Sequence, residues 1–161
     1  METGGFAGDW NHCDQIANYL AQLISHDRAD SFLYANLLST VLNELLEAVY
    51  AQHRPAGNVK CRLLRAEGLD RIELTIPVDP AVSGFYERSV AAAQAEGVAE
   101  RYTRSLLGKD PADQALGFLE LAADYGARIY METLAESAEI RLVLEVRLED
   151  GGSPALARPT P

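Results

Sequence analysis

Between Asp9 and Ser25 the apolar residues Ile16, Leu20, Leu23 and Ile24 recur at intervals of three and four, the spacing of one face of an α-helix. The polar stretch His26-Asp27-Arg28-Ala29-Asp30 interrupts it. Ser31 then offers a side-chain oxygen to the free N–H groups of a helix start. A long second helix is predicted from Phe32 to about His53, with Leu38, Leu42, Leu45 and Val49 in one stripe, Leu37, Val41 and Leu46 widening it, and Asn36, Thr40, Asn43 and Glu47 opposite. Arg54-Pro55-Ala56-Gly57 supplies turn chemistry, after which the period falls from about 3.6 to 2. Val59, Cys61 and Leu63 alternate with Lys60 and Arg62; beyond Glu67-Gly68, Ile72, Leu74, Ile76 and Val78 alternate with Arg71, Glu73 and Thr75. This is the pattern of an antiparallel hairpin with one dry and one wet face.

Asp79-Pro80 predicts a helix start, and Val82, Phe85, Tyr86 and Val90 give a helical face running to about Glu96. Gly97 interrupts it; a second piece, Val98 to Leu107, stops at Gly108. Asp110-Pro111 opens a further helix with Leu116, Leu119, Ala122 and Ala123 inward, and Gly126 is its expected left-handed cap. A second hairpin follows, in which Ile129 and Met131 match Ile140, Leu142, Leu144, Val146 and Leu148, with Arg141, Glu145 and Arg147 outward. Every strand has one apolar face. The arrangement that buries all of them is a two-layer α/β sandwich: a four-stranded, mainly antiparallel sheet from two hairpins, helices on one side, plus the N-terminal helix. The reading is one domain over 9–149, with flexible tails at 1–8 and 150–161.

The chain has 161 residues, 48% of them hydrophobic, and a formal charge of −10 from 24 acidic against 14 basic residues. The apolar content suffices for a core. The charge argues against a surface that neutralises phosphates, so nucleic acid is not an expected partner. No apolar run approaches the ~20 residues that span a bilayer, and residues 1–10 lack the basic and apolar regions of a leader, so no membrane role and a cytoplasmic location are expected. Cys13 and Cys61 lie in unrelated contexts and form neither a disulfide framework nor a zinc knuckle. His12, Cys13 and Asp14 are neighbours in sequence, but consecutive helical positions diverge, so with His26 and Asp27 they predict no metal site. His53 suits the C-terminal dipole of its helix. Ser31, Ser39 and Ser83 lack a glycine-flanked elbow and suggest no hydrolase.

Three stretches carry a resemblance. They are Asn43-Glu44-Leu45-Leu46-Glu47 on the long helix, Ala115-Leu116-Gly117-Phe118-Leu119 before the last hairpin, and Asp124-Tyr125-Gly126-Ala127. With the element order, the region from about 30 to 148 resembles the ATPase domain shared by histidine kinases, gyrase and anti-sigma-factor kinases, and is more similar to its small single-domain bacterial regulators. The resemblance implies a pocket in which Glu44 polarises the attacking group, an asparagine one turn later binds Mg2+, an aspartate reads adenine and glycines wrap the phosphates. The asparagine position is Ala48. The aspartate motif is reduced to Asp79 followed by Pro80, and the glycine motif to Gly117, with Ala115 where a first glycine would stand.

The resulting expectation is a degenerate site, with Glu44, Glu47, Asp79 and Gly117 as its remnants, no bound cofactor and no metal. Each remnant also has an ordinary explanation: solvated carboxylates for Glu44 and Glu47, a helix cap for Asp79, and a small residue at a packing contact for Gly117. The function implied is a non-catalytic bacterial signalling module in a partner-switching or two-component pathway. Its implied partners are an anti-sigma-antagonist-type domain, a receiver domain, or a second copy through the Trp10–Ile24 helix. The alternative is a serine/threonine kinase or ATPase using ATP and Mg2+, with Glu44 or Glu47 as base or magnesium ligand and Asp79 reading adenine. Phe85, Tyr86, Val90, Tyr102, Leu106 and Leu107 in the helical insert are read as core or partner surface.

Overall fold

The computed structural model describes residues 11–26, 30–53, 59–108, 115–134 and 137–148. In chain order the elements are α1 (Asn11–Ser25), α2 (Ser31–His53), β1 (Lys60–Ala66), β2 (Leu69–Pro77), α3 (Pro80–Gln94), α4 (Val98–Leu106), α5 (Leu116–Tyr125), β3 (Arg128–Leu134) and β4 (Glu139–Val146). The four strands form one sheet in the order β1-β2-β4-β3, antiparallel at every pairing. The two hairpins therefore meet through β2 and β4. No helix among the described residues is long and apolar enough to cross a membrane.

Register explains the core. Ile72 faces Leu144, Leu74 faces Leu142 and Ile76 faces Ile140, while Ile129 and Met131 on β3 continue the same rows. Because side chains alternate along a strand, this places one apolar face toward the helices. There it merges with Leu38, Leu42, Leu45 and Val49 of α2, Phe85 and Tyr86 of α3, and Phe118 of α5. The three aromatic rings meet edge to face, with centroids 5.2–6.3 Å apart. That geometry suits their quadrupoles. Phe85, Tyr86 and Val90 are thus core, whereas Leu106 and Leu107 are exposed.

Local signals end the elements where the patterns place them. Glu67 and Gly68 both have positive φ, 52° and 75°, which identifies a two-residue hairpin turn of the primed type matched to strand twist. Pro77 closes β2, where a missing N–H ends the ladder to β1. Asp79 Oδ1 accepts a 2.8 Å hydrogen bond from the Val82 N–H, with Pro80 at the first helical position. Gly126 ends α5 with φ 61°.

Several expectations need correction. Ser31 is the first helical residue of α2 rather than its cap, because the Asp30 carbonyl already accepts from the Tyr34 N–H. Leu23 is 57% exposed, whereas Leu20 is buried as expected, together with Cys13, Ala17 and Ala21, whose small side chains let α1 lie close to α2. On α5 the buried residues are Phe118, Leu119 and Leu121, while Leu116, Ala122 and Ala123 are half-buried. Leu119 and Ala115 form a small second cluster with Ala92, Val98 and Tyr102, so α5 is packed on two sides. Helix periodicity presumes a single buried face. Trp10, Asp27, the Arg54–Gly57 turn, Asp110-Pro111 and both tails lie outside the described residues.

The far side of the sheet is wet but not open. Arg71 reaches Glu73 (2.8 Å), Tyr130 Oη (2.7 Å) and Glu145 (3.1 Å), and Arg128 reaches Glu145 (3.0 Å). Val143, paired with Glu73 on one side and Tyr130 on the other, is fully buried on this face. The long side chains around it form its cover.

A second polar unit ties α2 to the first hairpin. Tyr34 Oη donates to Asp70 Oδ1 at 2.6 Å, and the Arg65 guanidinium lies 3.7 Å from the same carboxylate and 4.5 Å above the Tyr34 ring. Tyr34 and Asp70 are both buried.

Candidate functional site

Helix α5 crosses α2 at its thinnest point. A methyl group added to Gly117 would stand 3.0 Å from the Ala48 methyl and 3.7 Å from the Glu44 carbonyl oxygen. The former is tighter than nine in ten such contacts, so a side chain here would push the helices apart by a few tenths of an ångström. Gly117 thus suits this close contact, at which it meets Glu44 and Ala48 of α2.

Charge gathers beside this contact. Glu44 and Glu47 lie one turn apart on α2, and Glu120 and Asp124 one turn apart on α5. Tyr102 of α4 stands beside both, its phenol influenced by Glu120 and Asp124. The Asn43 amide donates to Glu47 Oε1 at 2.8 Å. Burial is the main cause that raises the Glu44 carboxyl above its ordinary pKa, with Glu120 and Glu47 adding to it. Glu120 is raised for the same first reason; the Tyr102 hydroxyl partly offsets this, and Asp124 and Glu47 reinforce it. The Tyr102 phenol is pushed up to about 12, by burial first and then by Glu120 and Asp124. Four mutually repelling carboxylates thus line the α2–α5 junction. Among the described residues no group of three or more His, Cys, Asp or Glu side chains is arranged to hold a metal ion.

The predicted residues divide accordingly. Glu44, Glu47 and Gly117 come together. Asp79 has a separate post, its carboxylate engaged as the cap of α3. Of the histidine and cysteine cluster, His12 and Asp14 are exposed and Cys13 is buried, so the side chains diverge as helical geometry requires. Sequence reasoning missed Glu120, and named Asp124 only as part of the Asp124-Tyr125-Gly126-Ala127 turn and Tyr102 only as core or partner surface. The signal available was a pair of acidic residues at i and i+4 on α5, facing a similar pair on α2.

The resemblance would place ATP and Mg2+ at this contact. Mg2+ takes oxygen ligands in near-octahedral geometry, and Ala48 offers a methyl group that already abuts α5. A triphosphate would add negative charge beside carboxylates that raise one another's pKa.

This electrostatics sets a pH dependence. A raised carboxyl binds its proton more tightly in the folded chain than in the unfolded one, so stability falls as pH rises from the ordinary carboxylate range through the raised value. Glu44→Gln removes that term. The variant is expected to melt about 3 °C above the parent at pH 7, with the advantage shrinking as pH falls and vanishing at about pH 3, where the parent carboxyl is protonated in both states. Thermal melts across that range check it; a variant less stable than the parent at pH 7 would show that Glu44 has a favourable partner. The chain matches no protein-family profile, no curated protein and no solved structure.

Proposed function

We propose that the chain is a non-catalytic regulatory module built on a histidine-kinase-like ATPase fold, acting by binding protein in a bacterial partner-switching or two-component pathway in the cytoplasm. The order of helices and hairpins and the three motif stretches support the fold reading. The observation that carries the functional one is the contact of Gly117 with Ala48 at the position where an active member holds its magnesium asparagine. An oxygen ligand is replaced by a methyl group, and the surrounding carboxylates disfavour phosphate.

Surface composition supports a protein partner. Tyr19 and Leu23 are 59% and 57% exposed on α1, Phe32 is 81% exposed at the start of α2, and Leu106 and Leu107 stand out at the end of α4. Exposed large apolar residues are common at protein-binding surfaces. The proposed partners remain a small anti-sigma-antagonist-type domain, a receiver domain, or a second copy meeting through the Tyr19–Leu23 side of α1. Removing α1 would not test the last, because Cys13, Ala17, Leu20 and Ala21 belong to the core. Tyr19→Glu with Leu23→Glu is the appropriate variant. It should turn a dimer into a monomer in light scattering while leaving the melting temperature within about 2 °C, as surface changes usually do; a dimer that survives both substitutions eliminates this interface.

One observation favours the kinase reading. A glutamate held above the ordinary range, as Glu44 is, is closer to the pKa that suits a general base near neutrality. Transfer of labelled phosphate from ATP to a partner, lost in Glu44→Ala, would establish that reading and remove the first.

A further inference from the structure

The two edges of the sheet are treated differently. On β3, the Gln94 side-chain amide donates a 2.7 Å hydrogen bond to the outward-facing Ile129 carbonyl, and α3 packs alongside. Nothing comparable covers β1 among the described residues. Its turn has two residues, so Ala66 and Leu69 form a hydrogen-bonded pair, as do Leu64 with Arg71, Arg62 with Glu73 and Lys60 with Thr75. Cys61, Leu63 and Arg65 then direct their backbone N–H and C=O groups away from β2. No backbone bond joins these three to another described residue. Such a row is a template for one more strand.

The side chains specify what that strand is. On the wet face β1 presents Lys60, Arg62 and Leu64, all exposed; on the core face Cys61 and Leu63 are only half-buried, whereas Ile72, Leu74 and Ile76 on β2 are fully buried. The seven residues of β1 include Lys60, Arg62 and Arg65 and no acid. A second copy of β1 would bring like charges together across the new pairing, which disfavours it. A strand alternating acidic and apolar residues would pair its carboxylates with Lys60 and Arg62, and extend the core beside Cys61 and Leu63. We propose that the β1 edge docks an extended, alternating acidic–apolar segment of another protein by strand addition, a mode in which main-chain bonds give affinity and alternate side chains give selectivity. The exposed helix surfaces are not needed for it, and neither is the state of the nucleotide position.

The test uses the full chain and a dye-labelled peptide of the length of β1, Glu-Val-Glu-Val-Glu-Val-Glu, with Lys-Val-Lys-Val-Lys-Val-Lys as control. Amide exchange is followed by NMR while affinity is read by anisotropy. At saturating peptide the amides of Cys61, Leu63 and Arg65 should slow by about tenfold or more, while those of Arg62 and Leu64, already bonded to β2, stay unchanged. Lys60→Glu with Arg62→Glu should weaken binding about tenfold or more, and β2 exchange rates report that the variant is folded. No binding at millimolar peptide, protection elsewhere, equal affinity for the lysine peptide, or indifference to the charge reversal would each overturn the proposal. None of these outcomes depends on nucleotide binding.

Discussion

Asp70→Ala is expected to cost about 3 kcal/mol of stability, lowering the melting temperature by about 9 °C. The carboxylate is 3% exposed and receives the Tyr34 hydroxyl at 2.6 Å, with Arg65 3.7 Å away. Truncation leaves a buried phenol without this acceptor and removes a counter-charge from Arg65. The expense of such a change lies mostly in the groups left behind. Tyr34→Phe, which deletes the donor and keeps the ring beneath Arg65, should therefore cost less, about 1 kcal/mol. Chemical denaturation of the two single variants and the double variant checks the assignment. Additive effects would mean that the two side chains do not act as a unit.

Gly117→Val has a comparable expected effect, about 3 kcal/mol, for a steric reason. Even a single methyl at this position would lie 3.0 Å from the Ala48 methyl, and valine adds two more carbons in a rigid branch. Replacing glycine inside a helix ordinarily stabilises by up to ~1 kcal/mol. The expected loss is thus a statement about the α2–α5 contact rather than about helix propensity. Ala48→Gly in the same chain should restore about 1 kcal/mol by clearing the methyl that stands in the way. Valine tolerated without loss would show that α5 does not press on α2, and with it the argument for a closed magnesium position would fall.

How much of this was legible in the sequence depends on how far apart the causes lie. Alternation from Ile72 to Ile76, the Glu67-Gly68 turn, the Asp79-Pro80 start and the Gly126 stop are local, and each appears where its pattern places it. The buried state of Val143 depends on Arg71 and Tyr130 reaching across three strands, and no periodicity contains that. The Tyr34–Asp70 pair spans 36 positions. At the site, motif resemblance directed attention to Glu44 and Gly117, and to Asp124 only as part of a turn, but not to Glu120, because the acidic cluster exists only once α5, with α4 packed on it, lies against α2. Asp79 belonged to both accounts, and its geometry is that of a cap.

Titration calorimetry of the purified chain with ATP and ADP, with and without Mg2+, tests the central claim most directly. In the proposed fold Ala48 stands at the magnesium position, and its methyl group together with the neighbouring carboxylates predicts no heat of binding at millimolar nucleotide under either condition. Binding that tightens with Mg2+ and weakens in Glu44→Ala would contradict that account and make the chain a kinase or ATPase.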